Sequence, residues 1–288
     1  MEGWVLLLVI PAAFTHAIWN YLTKKVGGGS LFIGLVAAVS TVVYLPVVLW
    51  IVIKSDMSLN WLQLIWLAIS GLWHMIYFCL LEYCYRHGDL SVVYPLTRGS
   101  GVLFATICAI FILGERPSIP ALIGICLILS GVFVLTRCTE TGKSVEINNK
   151  RQYFLALICG LTIAAYTMWD KFAVSSLSLN PLVISWCQNF VLFIALLIFN
   201  FRERDKVFEH WKVNWPEAMG VGILCPLSYI LILIAMTFCQ VSYVSPAREF
   251  SILIGTFLGR KCLDEAANWW RMVGAGIMVM GIFVLTIG

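Results

Sequence analysis

Phe133-Val134-Leu135-Thr136 recurs as Phe283-Val284-Leu285-Thr286, 150 residues further along the chain. The same offset lays Trp19 on Trp169, Asn20 on Asp170, Arg98 on Arg248, Leu113 on Leu263 and Glu115 on Glu265, without a gap. Gly124 falls on Gly274 and Gly131 on Gly281, while Pro95 and Pro246 are one position out of register. Apolar sequences match one another by chance at Leu, Ile and Val. They seldom match by chance at Trp, Arg and Glu in one fixed register. The chain therefore reads as two copies of one unit, 1–136 and 152–288, joined by a polar linker at 137–151.

The composition fixes the solvent of this repeat. Of 288 residues, 61% are hydrophobic and 12% charged, against roughly a quarter charged in a soluble domain. So few charges cannot cover a water-facing surface, and much of the surface must face lipid. The 12 Trp, 10 Tyr and 17 Phe suit that solvent, because aromatic rings collect at membrane interfaces. The net charge of +4 is small and spread over loops, which argues against a nucleic-acid partner. The ten Cys lie mostly in apolar runs, with no CxxC pair and no Cys/His cluster of zinc spacing. They read as small buried hydrophobes, and no metal site is expected.

A bilayer core about 30 Å thick takes about 20 apolar residues of helix. Ten such stretches lie near 3–23, 31–53, 60–84, 91–113, 119–136, 152–173, 181–201, 216–238, 242–262 and 267–287. The first follows Glu2, runs on to Lys24 and has no A-x-A site, so it reads as a span and not a cleaved leader. Polar breaks separate the stretches: Gly27-Gly28-Gly29-Ser30, Lys54-Ser55-Asp56, Arg86-His87-Gly88-Asp89, Gly114-Glu115-Arg116-Pro117, and Arg202 to Lys212. The expected fold is an all-α membrane protein of about ten transmembrane helices, arranged as two five-helix repeats. Five is odd, so the second copy is expected to cross the membrane in the opposite sense. Two such inverted halves can exchange conformations about a central site, which suits a carrier. The loops on the side of the termini hold three basic residues, Lys54, Arg116 and Lys171, and the opposite loops hold fourteen. The positive-inside rule then puts the termini outside.

These segments resemble the EamA-type carriers of the drug/metabolite transporter (DMT) superfamily over essentially the whole chain. The resemblance rests on His16-Ala17-Ile18-Trp19-Asn20, on Gly88-Asp89-Leu90-Ser91-Val92-Val93-Tyr94-Pro95-Leu96-Thr97-Arg98-Gly99-Ser100, and on Leu113-Gly114-Glu115-Arg116. The second copy echoes them with Pro246-Ala247-Arg248-Glu249 and Leu263-Asp264-Glu265, where Asp264 replaces the usual Gly. The resemblance implies ten helices, no cofactor, and movement of small metabolites, often export of amino acids or drugs. It extends to carriers of lipid-linked sugars. The expected location is multi-pass, in a bacterial inner membrane.

Ionisable groups in hydrocarbon cost about 2.5–3.5 kcal/mol each, so they mark partners or a wet cavity. His16 and Asn20 are four apart and share a helix face, as do their repeat partners Tyr166 and Asp170. Arg98 follows Tyr94 by four, and Arg248 and Glu249 lie inside the ninth stretch. The expected substrate-binding set is His16, Trp19, Asn20, Tyr94, Arg98, Tyr166, Trp169, Asp170, Arg248 and Glu249. Arginine can hold a carboxylate or phosphate with two bonds, and Glu249 or Asp170 could bind an amine or carry a proton. Purely structural readings stand beside these. Arg98 can pair with Glu82, Asp170 or Glu249, Asp170-Lys171 can lie at the membrane surface, and the two Trp can simply pack. Glu115 and Glu265 read as caps or loop anchors, and His74 as a packing residue.

The function expected is a secondary carrier working by alternating access. Its solute is an amino acid or a related amphoteric or anionic metabolite, and the direction is export. Protons are the candidate coupling ion, and the oligomeric state stays open. The alternative is a lipid-linked sugar flippase, which needs a hollow open sideways to lipid. Neither GxxxxGK[ST], HExxH nor GxSxG occurs, which argues against ATP hydrolysis in this chain and against a membrane-embedded enzyme.

Overall fold

A computed structural model of the chain describes residues 3–54, 59–87, 90–137, 150–255 and 269–287. Among the described residues all regular structure is helical. The first half holds α1 (Leu6–Val26, behind a 3-10 turn Gly3–Val5), α2 (Ser30–Lys54), α3 (Trp61–His87), α4 (Leu90–Ile112) and α5 (Ile119–Arg137). The second holds α6 (Lys150–Ser175), α7 (Pro181–Phe199), α8 (Arg204–Phe238), α9 (Val241–Arg248) and α10 (Trp269–Ile287). Among the described residues six helices, α1, α2, α3, α6, α7 and α8, are long and apolar enough to cross a membrane. Shorter apolar helices run over Leu96–Ile112, Ile119–Val134 and Val273–Ile287. The outer faces are greasy: Ile53, Phe111, Ile119 and Phe199 are 75–82% exposed, a surface that water would not tolerate and lipid does. The protein is an integral, multi-pass membrane protein.

Two helices depart from their expected outlines. Arg202 to Lys212, read as a loop, forms a 3-10 turn (Phe201–Glu203) and the first turns of α8. Its Glu, Lys and Arg residues are good helix formers, so their polarity marks the exit from lipid and not the end of the helix. The helix bends at Asn214 (φ −118°, ψ 19°), two residues before Pro216. The ninth stretch breaks at its middle. Pro246 has no N–H to give to Ser242, the Glu249 N–H turns back to the Pro246 carbonyl (3.0 Å), and helix resumes over 250–255. Residues 256–262 of that stretch lie outside the described residues, as do linker residues 138–149, the Leu263-Asp264-Glu265 motif and the side chains of Tyr94 and Glu82.

Packing follows the repeat. α5 and α10, repeat partners, lie antiparallel with Gly124 against Gly281 and Gly131 against Gly274. A Cβ on Gly124 would sit 2.7 Å from the Gly281 carbonyl oxygen, and one on Gly131 2.8 Å from that of Gly274. Without a hydrophobic drive between helices in lipid, close backbone approach at small residues is what binds them. α2 and α7 are antiparallel too: Trp186 Nε1 donates to the Thr41 carbonyl (2.9 Å), and Asn200 Nδ2 to that of Ser30 (3.3 Å). α4 packs on α9, its own partner. Six further contacts exchange in twos. α1 packs on α8 as α6 does on α3, α2 on α8 as α7 on α3, and α4 on α6 as α9 on α1.

Candidate functional site

Eight helices, all but α5 and α10, surround a hollow of about 470 Å³ between the two halves. Its lining reaches Gly27, Gly28 and Gly29, the connection from α1 to α2. Lys25 Nζ donates to Glu217 (2.8 Å) at that end, while Trp4 touches Phe238 at the other, so α1 and α8 are antiparallel and their positions define the two ends of the bundle.

The end away from Gly27 is sealed. Trp66 of α3 and Trp169 of α6 stack with ring centroids 3.8 Å apart and planes 13° from parallel. Each indole N–H donates to the other residue's carbonyl, at 3.2 and 3.0 Å. Lys171 Nζ donates to the Met236 and Cys239 carbonyls (2.5 and 3.1 Å), closing the last turn of α8. The Glu115 carboxylate accepts from the Val241 and Ser242 N–H groups (2.8 and 2.9 Å) and from Ser242 Oγ (2.6 Å). It thereby caps α9, whose exposed N–H groups and helix dipole favour an anion. Gly114, with φ +67°, turns the chain so that Glu115 reaches them.

Charged groups gather around the hollow between the halves. Arg98 of α4 pairs with Glu249 at 3.1 Å, both nearly buried. Arg98 Nη2 also lies 3.4 Å from His16 Nε2, and the guanidinium can only donate, so that nitrogen accepts. Asp170 is fully buried. Its oxygens accept from Ser70 Oγ (2.5 Å), Gln188 Nε2 (2.9 Å) and Tyr229 Oη (2.5 Å), and His74 Nδ1 lies 4.0 Å away. Arg248 is 6% exposed, lines the hollow and has no hydrogen bond or ion pair among the described residues, its Nε being buried without a partner.

The ten expected site residues thus divide. His16, Trp19, Asn20, Arg98, Tyr166 and Arg248 line the hollow. Asp170 and Glu249 lie behind that wall, Asp170 screened by Gln188, Tyr229 and His74. Trp169 belongs to the sealing stack. Tyr94 lies on α4, with its side chain outside the described residues. Asp170 is fully buried among protein side chains, and Arg98 has Glu249 as one partner, Glu82 lying outside the described side chains. Asn20, the repeat partner of Asp170, donates only to the His16 carbonyl of its own helix (2.7 Å).

Sequence reasoning passed over Ser70, Gln188 and Tyr229. Each is a polar group in an apolar run, and Ser70 is one helical turn before His74. The 150-residue offset places no like residue opposite Ser70 or Gln188, so a search for repeated residues skips them.

The EamA-like transporter family matches residues 3–137 and, a second time, residues 150–287. The chain belongs to that family. It is a membrane transporter of the DMT superfamily, built of two EamA repeats. One solved structure, described as "Crystal structure of protein", superposes on this EamA chain with a TM-score of 0.80, covering 100% of it and 98% of the other at 15% identity. At that identity the likeness shows the shared fold alone. No curated protein sequence matches this EamA chain.

Proposed function

We propose that the chain is a secondary carrier with ten spans in two inverted repeats, working by alternating access. It would move a small amphoteric or anionic metabolite, such as an amino acid, outward across the membrane. The observation that carries the reading is the hollow itself, which lies between the halves, bears charged groups from both and, among the described residues, is lined as far as the Gly27 end of the bundle. The antiparallel packing of α5 on α10 and of α2 on α7, each on its own repeat partner, supports inversion. The basic loops lie at the Gly27 end. By the positive-inside rule that end faces the cytoplasm, so this conformation is loaded from inside and the stacked tryptophans close the outside. Inverted halves reach the opposite conformation by exchanging their roles, which needs no hydrolysis and no catalytic group.

Counterflow tests this directly. Proteoliposomes loaded with one unlabelled amino acid and diluted into tracer of the same compound should accumulate the tracer transiently for at least one member of the set. An amino-acid and organic-acid panel that gives neither counterflow nor thermal stabilisation of the purified protein overturns the reading.

A further inference from the structure

The charges around the hollow are not equally available, and their partners decide what the hollow accepts. Arg98 is engaged with Glu249 across α4 and α9 at 3.1 Å, and Glu249 is 1% exposed. Asp170 is 0% exposed, with its two oxygens taken up by Ser70, Gln188 and Tyr229. Neither carboxylate is among the groups that line the hollow. Arg248 is. The residue is 6% exposed, has no hydrogen bond and no ion pair among the described residues, and keeps a buried, unpartnered Nε. His16, His74 and Tyr229 line the same hollow, and none of them is an anion as a matter of course. A guanidinium that lines a hollow without a counter-ion is a fork of donors set for a planar oxyanion. The rest of the wall is largely aromatic and aliphatic, including Trp19, Phe32, Tyr77, Phe78 and Tyr166.

We propose that Arg248 is the anchor for the anionic group of the transported solute, and that the solute is a small organic anion with an apolar, ring-sized body and no need of an ammonium group. The two carboxylates serve the protein and not the solute. Glu249 holds Arg98, and Asp170 holds Ser70, Gln188 and Tyr229 in position. The assignment rests on the carrier reading of the same hollow and narrows it from amphoteric solutes to anions.

Four probes with one phenyl body separate the charge requirements: 3-phenylpropionate (anion), 3-phenylpropanamide (neutral), phenethylamine (cation) and L-phenylalanine (zwitterion). Each is titrated by calorimetry into the purified full-length protein in detergent. The anion should bind at least about 10-fold more tightly than the amide or the amine, since a bidentate charged pair is lost with either. L-Phenylalanine should bind no more tightly than 3-phenylpropionate, because no open carboxylate receives its ammonium. Arg248→Gln should weaken the anion by about 10-fold or more, and Arg248→Lys should restore part of the loss. The ligand-free Arg248→Gln protein should melt at or above the wild-type temperature, since it loses an uncompensated buried charge and not a bond. A structural arginine would give the reverse. Tighter binding of L-phenylalanine than of the anion, equal binding of amine and anion, binding of none of the four, or unchanged anion binding in Arg248→Gln overturns the anchor. Failure of the anchor and failure of the carrier are told apart by counterflow. Anion binding without counterflow of that anion refutes the carrier and keeps the anchor. Counterflow of the amine with no anion binding refutes the anchor and keeps the carrier.

Discussion

Glu115→Gln tests what the Leu-Gly-Glu turn does. Glu115 is 8% exposed, and its carboxylate accepts three hydrogen bonds at 2.6–2.9 Å from the first turn of α9. Hydrogen bonds to a charged group contribute about 1.5–3 kcal/mol each and neutral ones about 0.5–1.5. Glutamine keeps one acceptor oxygen and turns an N–H₂ toward N–H donors, so at least one of the Val241 and Ser242 donors is orphaned. Weakening two bonds and orphaning a donor together cost about 2–4 kcal/mol. For a chain of this size 1 kcal/mol shifts the melting temperature by about 2–3 °C, so the loss is about 4–12 °C. The chain carries its own reporter. Cys84 is 3% exposed and Cys159 0%, so a thiol-reactive fluorogenic dye reports unfolding as they come into reach. Ser242→Ala removes one donor without orphaning another and should cost no more than about 1.5 kcal/mol. A Glu115→Gln protein melting within 2 °C of wild type, or Ser242→Ala melting lower than Glu115→Gln, would refute the cap.

The sealing stack and the buried carboxylate give further tests. Trp66→Phe and Trp169→Phe each remove one indole N–H while keeping a ring, and a double-mutant cycle on melting temperature should show a coupling of about 0.5–1.5 kcal/mol; additive losses would mean that the two rings act separately. Asp170→Asn should cost about 1–3 kcal/mol, because an amide N–H₂ then confronts the Ser70, Gln188 and Tyr229 donors; adding Tyr229→Phe should recover part of it by removing one of them, and a further drop would contradict the network. Gly131→Val should abolish a monodisperse peak in size-exclusion chromatography, since a Cβ there meets Met278 Cγ at 2.5 Å and the Gly274 carbonyl at 2.8 Å, whereas Gly276→Ala, with nothing within 4 Å of the new carbon, should leave the peak unchanged.

The repeat was legible because its coincidences fall on residues that packing or charge makes costly to place. Gly124, Gly131, Gly274 and Gly281 form one backbone-to-backbone seam, and Arg98 and Arg248 share one hollow. Hydropathy located the lipid-facing helices, since Ile53 and Phe111 answer to the bilayer alone. It misread the start of α8, because a helix leaving lipid turns polar without unwinding. The break at Glu249 was half-written in Pro246, whose missing N–H could be read from the sequence. That Arg98 would pair with Glu249 could not, since Asp170 satisfies the same charge argument and only helix packing brings Glu249 within 3.1 Å. The role of Asp170 was hidden for a related reason. Its donors come from α3, α7 and α8, and no spacing along the chain brings Ser70, Gln188 and Tyr229 together.

The most informative pair in the molecule is Trp19 and Trp169. They occupy the same place in the repeat, yet Trp19 lines the hollow with its ring edge-on to His16 at 4.9 Å, while Trp169 is clamped on Trp66 with both indole N–H groups bonded. Trp19 Nε1 is buried and has no bond. Two copies of one unit in a rigid, symmetric assembly would hold their tryptophans alike. The copies differ at the partner: the residue opposite Trp66 in the second copy is Pro216, so Trp19 has no second indole to stack on and no reciprocal pair of N–H bonds to make. Trp19 packs instead with Leu22 against Phe32, Val36, Ala218 and Val221, so α1, α2 and α8 hold it by apolar contact and its buried indole N–H faces no carbonyl among the described residues.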